Sequence, residues 1–159
     1  MGDSAGNAVP GRDYVGVGVG GIILNDAGQV LLARRGPMAR NRVGQWENPG
    51  GALGIGEEFD DAIVREIREE LGIDVRVEGL LRIVNHIIPA DAQHWVSPTL
   101  VCRFSGQQDT PRILEPDKCS EIGWFDLEAL PEPLAEISAA DLGYLNRYRR
   151  EGRSLQPAE

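Results

Sequence analysis

The chain has 159 residues, 42% of them hydrophobic and 26% charged, which suits one domain with a substantial core. Its net charge of −9 argues against a polymeric nucleic-acid partner, which calls for a basic stripe, but leaves room for a small anionic substrate held by local cations or metal. No run approaches 18 apolar residues and the first eleven are small and polar, so neither a membrane span nor a secretory leader is expected, and the cytoplasm is the default location.

Residues 1–12 and 151–159 read as loose tails flanking a single domain over 13–150. Tyr14 to Leu24 alternates valine with glycine at period two, the pattern of a strand pressed against something on its glycine side. The same run formally matches G-x-G-x-x-G, but a dinucleotide site needs that motif between a strand and a helix. Here a turn, Asn25 to Gly28, and a return strand, Gln29 to Arg35, follow instead. The run lacks the lysines and prolines that protect a free edge, so its own chain or a second copy should cover it. Residues 36–45 read as a loop carrying Arg40 and Arg42, and Pro49-Gly50-Gly51 as a turn.

The next segment reads as a helix that starts near Asp60 and Asp61. Asp60 and Asp61 sit where acidic residues favour the positive end of the dipole. Ile63, Val64, Ile67 and Leu71 fall on one side and can face a core. Gly72 fits a left-handed cap, followed by apolar Ile73. Glu66, Glu69 and Glu70, at i, i+3 and i+4, share an adjoining wedge. Three like charges destabilise an isolated helix, and a hard divalent cation among them would reverse that cost. A bare E-x-x-E-E is most often only a solvated face, and Arg65 could serve merely as an ion-pair partner of Glu69.

Further on, Asp74 to Ile88 reads as one or two strands, Pro89 to Gln93 as a loop and His94 to Ser105 as a strand. Residues 106–118 read as a polar loop, Glu121 to Asp126 as a strand and Ser138 to Arg149 as a helix. Strands preceding, flanking and following one central helix suit an α+β fold, a mixed sheet packed between helices. Cys102 and Cys119 are isolated, and with only His86 and His94 beside them no zinc spacing exists; buried free thiols are expected.

From Gly51 the fixed residues run as glycine, five residues, Glu57, seven residues, then Arg65-Glu66-Ile67-Arg68-Glu69-Glu70-Leu71-Gly72-Ile73. This resembles the box of the Nudix hydrolases with no position missing. Val15 to Val19, Trp46 to Gly51, His94 to Ser97, Glu115 to Lys118 and Trp124-Phe125 extend the resemblance, less specifically, toward the MutT type. It implies the Nudix α/β/α sandwich and a hydrolase that cleaves a phosphoanhydride of a nucleoside triphosphate or related nucleoside-diphosphate-linked compound, giving a monophosphate and pyrophosphate. It implies Mg²⁺, with Mn²⁺ as the alternative, at Glu66, Glu69, Glu70 and the carbonyl of Gly50. Glu66 is the first choice as general base, although a tight ligand is a poor free base. Arg65 would orient the carboxylates and Glu57 completes the catalytic set. Arg34, Gly51 and Ser97 match substrate-binding positions, though Ser97 is equally well a plain strand residue and Arg34 a solvated one. Glu115 is an optional further ligand, and a homodimer is the expected assembly. Two rival readings stand. One is an ADP-ribose or other dinucleoside-type diphosphatase, suggested by Pro89, 16 residues after Ile73. The other is a non-enzymatic nucleotide-binding module, disfavoured by the intact box.

Overall fold

A computed structural model describes residues 7–106 and 109–158. The strands are β1 (Gly16–Leu24), β2 (Val30–Arg35), β3 (Trp46–Glu47), β4 (Gly50–Ala52), β5 (Arg76–Ile88), β6 (Gln93–Arg103) and β7 (Cys119–Phe125). The helices are α1 (Phe59–Leu71) and α2 (Glu136–Arg150), with a short 3-10 turn at Pro89–Asp91. All seven strands join one sheet in the order β3-β2-β1-β6-β5, with β4 added on β1 and β7 on β2. The β1–β6 pair is parallel and the other pairs are antiparallel, so the sheet is mixed.

Alternation along β1 divides the interior in two, because successive side chains of a strand point to opposite faces. Val19 and Ile23 join Leu31, Leu100 and the inner face of α1, where Ile63, Ile67 and Leu71 are fully buried. Ile22 and Leu24 join Val30, Leu32, Val101 and the inner face of α2, where Leu142 and Leu145 are buried. The result is the α/β/α layering expected of the sequence pattern. Burying large aliphatic side chains on both faces is worth about 1.5–3 kcal/mol each, which sets the sheet as the rigid platform of the molecule.

The glycine side of β1 is crowded at two positions and open at a third: a Cβ at Gly16 would stand 2.5 Å from the Trp95 ring and one at Gly18 3.1 Å from the Gly51 carbonyl, while nothing lies within 4 Å of one at Gly20. On the opposite face a Cβ at Gly21 would stand 3.0 Å from Ile63 of α1. Helix α1 ends at Gly72 with φ 65°, whose N–H donates to the Arg68 carbonyl. Both cysteines are free and buried.

Four expectations need correction. Gly50 and Gly51 are not in a turn: they form β4, in register with Gly20 and Val19 of β1. Strand β1 is central, flanked by β6, β2 and β4, so its own chain covers it and its exposed-edge argument for a second copy is lost. Residues 7–12 are tied down, with the His94 N–H donating to the Gly11 carbonyl at 2.7 Å. Residues 151–158 are tied down too: Leu80 and Gln156 exchange backbone hydrogen bonds of 2.7 and 3.2 Å on β5, and Ala158 is buried. Among the described residues no helix is long and apolar enough to cross a membrane.

Candidate active site

Helix α1 and strand β4 meet in a frame centred on Arg65. Its Nε and Nη2 donate to the two oxygens of Glu57 at 2.7 and 2.9 Å, and Nη2 also reaches the Ala52 carbonyl at 3.1 Å. Nη1 donates to Glu66 at 2.8 Å and to Glu69 at 3.3 Å. Glu57 further accepts the Gly54 N–H at 2.9 Å. The Arg65 guanidinium, and then that N–H, hold the Glu57 carboxyl down at about 2. Forked arginine–carboxylate pairs are strong and directional, so the loop before α1 is locked to the helix and Glu66 is aimed at β4.

The aim is close. A Cβ at Gly51 would overlap the Glu66 carboxylate, and a Cβ at Gly50 would overlap the Val19 carbonyl. Both glycines of the Pro-Gly-Gly segment are therefore needed for contact reasons, one by a side chain and one by the backbone of β1.

Above this frame lies a cleft of about 630 Å³ whose walls come from β1, β2, β3, β4, β5, β6, α1, α2, the loops at 36–45 and 115–118 and the start of β7. Glu66 and Glu70 line it, together with Glu47 and Glu115. Burial, and then the charges of Glu66, Glu47 and Glu115, push the Glu70 carboxyl up to about 8, while Lys118 opposes the shift. Glu66, Glu47 and Glu115 each meet one protein cation, Arg65, Arg35 and Lys118, yet together with burial they still raise Glu70; a hard divalent cation would offset that field, and carboxylate and carbonyl oxygen are its donors. The donors present thus fit such an ion. Among the described residues no three carboxylate, thiol or imidazole side chains are already drawn together as a chelate, and Glu66 is instead held by Arg65.

The other expected site residues separate into two groups. Gly50, Gly51, Ser97 and Arg34 line the cleft. Arg34 is not free there: its Nε donates to the Gly44 carbonyl at 2.9 Å and Nη1 meets Glu121 at 3.3 Å. Glu69 does not line the cleft and its side chain is 58% exposed, so its link to the site runs through Arg65. Glu57 and Arg65 stand in the bracing frame and do not line the cleft. Trp46 is buried edge-on against Phe125 in the α2-side core. His94 turns away to Asn85 at 2.6 Å, and Pro89 lies outside the cleft, in a separate shallow depression.

Several cleft residues carried no sequence signal. Asn48, Ser138, Asp141, Thr99 and His86 form a polar wall on the α2 side. Asp141 is 3% exposed and is satisfied by Arg82 at 2.6 Å and by Thr99 at 3.0 Å. These residues come from the link between β3 and β4, from β5, β6 and α2, and only the folded sheet brings them together.

A seven-stranded mixed sheet between two helices, with an arginine-braced glutamate helix against a Gly-Gly strand, defines a Nudix fold. Residues 15–145 match the model of the NUDIX domain, and the chain belongs to that family. It is similar to a solved MutT NUDIX hydrolase from Burkholderia pseudomallei, with 38% identity, a TM-score of 0.74, and coverage of 83% of this chain and 98% of that one. Among curated proteins it is similar to an isopentenyl-diphosphate Delta-isomerase from Paenarthrobacter aurescens, 36% identical over 107 residues, 64% of this chain and 55% of the relative. It is also similar to an 8-oxo-dGTP diphosphatase from Proteus vulgaris, 41% identical over 69 residues, 43% of this chain and 61% of the relative. The chain thus spans less than two thirds of these two curated relatives.

Proposed function

We propose that the protein is a divalent-metal-dependent hydrolase of a nucleoside triphosphate or related nucleoside-diphosphate-linked compound, releasing a monophosphate and pyrophosphate. The observation that carries this reading is the convergence of Glu66 and Glu70 on the cleft beside Gly50 and Gly51, with Glu70 raised to about 8 by burial and its acidic neighbours. Glu66, Glu70 and the Gly50 carbonyl would hold Mg²⁺ or Mn²⁺, with Glu69 reached at the rim. When bound, the cation supplies positive charge against the phosphates and makes water a better nucleophile.

The chain's own residues do the rest. Arg65 fixes one oxygen of Glu66 at 2.8 Å, which orients the other to accept the proton of the attacking water. Glu57 holds Arg65 in place through two hydrogen bonds. Gly51 lets the backbone approach the carboxylate without a side chain intervening. Arg40, Arg42 and Lys118 line the cleft and offset the charge of the phosphate chain, Arg34 lines it while held by Gly44 and Glu121, and Ser97 contributes a hydroxyl to the lining. Pro89, the residue that suggested the ADP-ribose rival, does not line this cleft, and that rival stands as the alternative for the substrate panel to decide.

The test is a panel of normal and oxidised nucleoside triphosphates, ADP-ribose and dinucleotides, with products resolved. Turnover should vanish on exhaustive chelation and return with Mg²⁺ or Mn²⁺. Full turnover without divalent cation would remove the mechanism, and ADP-ribose as the best substrate would remove the substrate class.

A further inference from the structure

We propose that Gly20 is a specificity-determining position: the open place above it on the cleft floor seats the nucleoside part of the substrate, and the missing side chain sets how much room that part has. The ligand class rests on the nucleotide-hydrolase reading above; the open place does not.

Glycine weakens the interior of a strand, so its presence there calls for a reason: a left-handed backbone, a bulge or the close approach of another group. For every other glycine in a described strand the approach is made by the protein itself, since an added Cβ would come within 3.1 Å of another part of the chain. Gly20 is the exception. It lies in the middle of β1 with strand partners on both sides, Gly50 of β4 and Thr99 of β6. Its φ is not positive, its register shows no bulge, and nothing lies within 4 Å of a Cβ built on it. Neither packing nor backbone conformation asks for glycine here.

The open place belongs to the cleft, which Gly20 lines together with Gly18, Ser97 and Thr99. Strand alternation turns the Gly20 Cβ direction to the side of Gly18, where a Cβ would stand 3.2 Å from Ser97 Oγ, and away from that of Gly21, where one would meet Ile63 of α1. A side chain at Gly20 would therefore project into the free volume of the cleft. Its neighbours on that face carry no charge, and the Thr99 hydroxyl already donates to Asp141 of α2 at 3.0 Å. The charged groups suited to metal and phosphate, Glu66, Glu70, Arg40, Arg42 and Lys118, reach the cleft from α1 and the loops instead. The uncharged part of a nucleotide thus fits the floor at Gly20, and the phosphate chain fits the charged walls.

The experiment compares wild type with Gly20→Ala and Gly20→Val. It reads thermal melting, KM for the nucleoside triphosphate that wild type hydrolyses best, and calorimetric Kd in Mg²⁺ for the matching nucleoside monophosphate and for pyrophosphate. Gly20→Ala should raise Tm by about 1–4 °C, because a residue better suited to a strand replaces glycine in open space. It should also raise KM and the monophosphate Kd by roughly fivefold or more, the cost of crowding a fitted site, and Gly20→Val should raise both further. The pyrophosphate Kd should stay unchanged. A glycine with no ligand above it would give the gain in Tm and leave every constant where it was; that result, or an equal weakening of monophosphate and pyrophosphate, would overturn the proposal. A fall in Tm or a failure of Gly20→Ala to fold would overturn it too, by showing that the place is not open. If only Gly20→Val fails to fold, Gly20→Ala decides. If wild type hydrolyses no nucleoside triphosphate, the hydrolase reading falls, and the calorimetric series, run on the common nucleoside monophosphates, decides the role of Gly20 by itself; binding of none of them to wild type would overturn it.

Discussion

Gly50 and Gly51 are adjacent, both lie in β4 and both exclude a side chain, yet alanine should fail at each for a different reason. At Gly51 the new methyl overlaps the end of Glu66, with Oε1 at 2.5 Å, and meets no backbone atom among its nearest neighbours. The carboxylate can swing away, off its preferred rotamer at about 0.5–1.5 kcal/mol. Replacing glycine by alanine returns about 0.4–1 kcal/mol through the unfolded chain. The net change in stability should therefore stay within about 1 kcal/mol. Glu66, however, must retreat by about 1 Å and loosen its bond to Arg65, a displacement that costs catalysis about 10²-fold. At Gly50 the methyl meets the Val19 carbonyl and then Gly20 Cα at 3.0 Å, both backbone atoms of the central strand. Relief there means parting β4 from β1 and losing the hydrogen bond from Gly21 N–H to the Pro49 carbonyl. About 2–4 kcal/mol should be lost. Urea unfolding and pyrophosphate release from a nucleoside triphosphate that wild type hydrolyses measure both quantities. The reasoning is refuted if Gly51→Ala loses as much stability as Gly50→Ala, or if it keeps kcat within about threefold of wild type.

Glu66→Gln and Glu70→Gln should each lower kcat by about 10²-fold or more while thermal melting shows a folded protein, since both delete charge and keep shape; a folded, fully active variant would clear that residue of its role. Glu57 titrates at about 2 against a reference of 4.5, so its bond to Arg65 stabilises the fold fully above pH 4.5 and is lost as pH falls from there toward 2. The difference in melting temperature between wild type and Glu57→Gln should accordingly shrink across that window, and a gap unchanged from pH 7 to pH 2 would contradict it. Gly143, exposed within α2, has open space around an added Cβ, so Gly143→Ala should stabilise the protein by about 0.5–1 kcal/mol without altering turnover, as unfolding curves and initial rates will show.

The parts of the site that could be read from the chain were the local ones. The spacing of Ile63, Ile67 and Leu71 placed one face of α1 on the core, so Glu66 and Glu70 had to project beside it, and Gly72 ended the helix as a left-handed cap. What spacing could not show was how α1 is tethered. Glu69 looks equivalent to Glu66 and Glu70 on a helical wheel, but only the latter two meet the cleft, because β4 lies against one flank of the wedge. Arg34 looked available for phosphate until Glu121, 87 residues away, appeared beside it. Asn48 is an ordinary loop asparagine until Ser138, 90 residues further on, takes its N–H. Trp46 precedes the Pro-Gly-Gly segment, but strand alternation sends its ring away from the cleft, into the core. Pairings across such distances leave no periodicity to find.

The backbone exchange between Leu80 and Gln156 has a consequence for behaviour in a crowded solution. Strand β5 ends the sheet path, and a long outer strand is an open template on which another chain can lay itself. The terminal segment occupies that template at Leu80 and lies over Gly79, where a Cβ would stand 2.6 Å from the Gln156 carbonyl. Residues 155–158 thus cover the flank of β5 around Leu80, whereas Ile83 and Ile87 further along the same strand stay exposed.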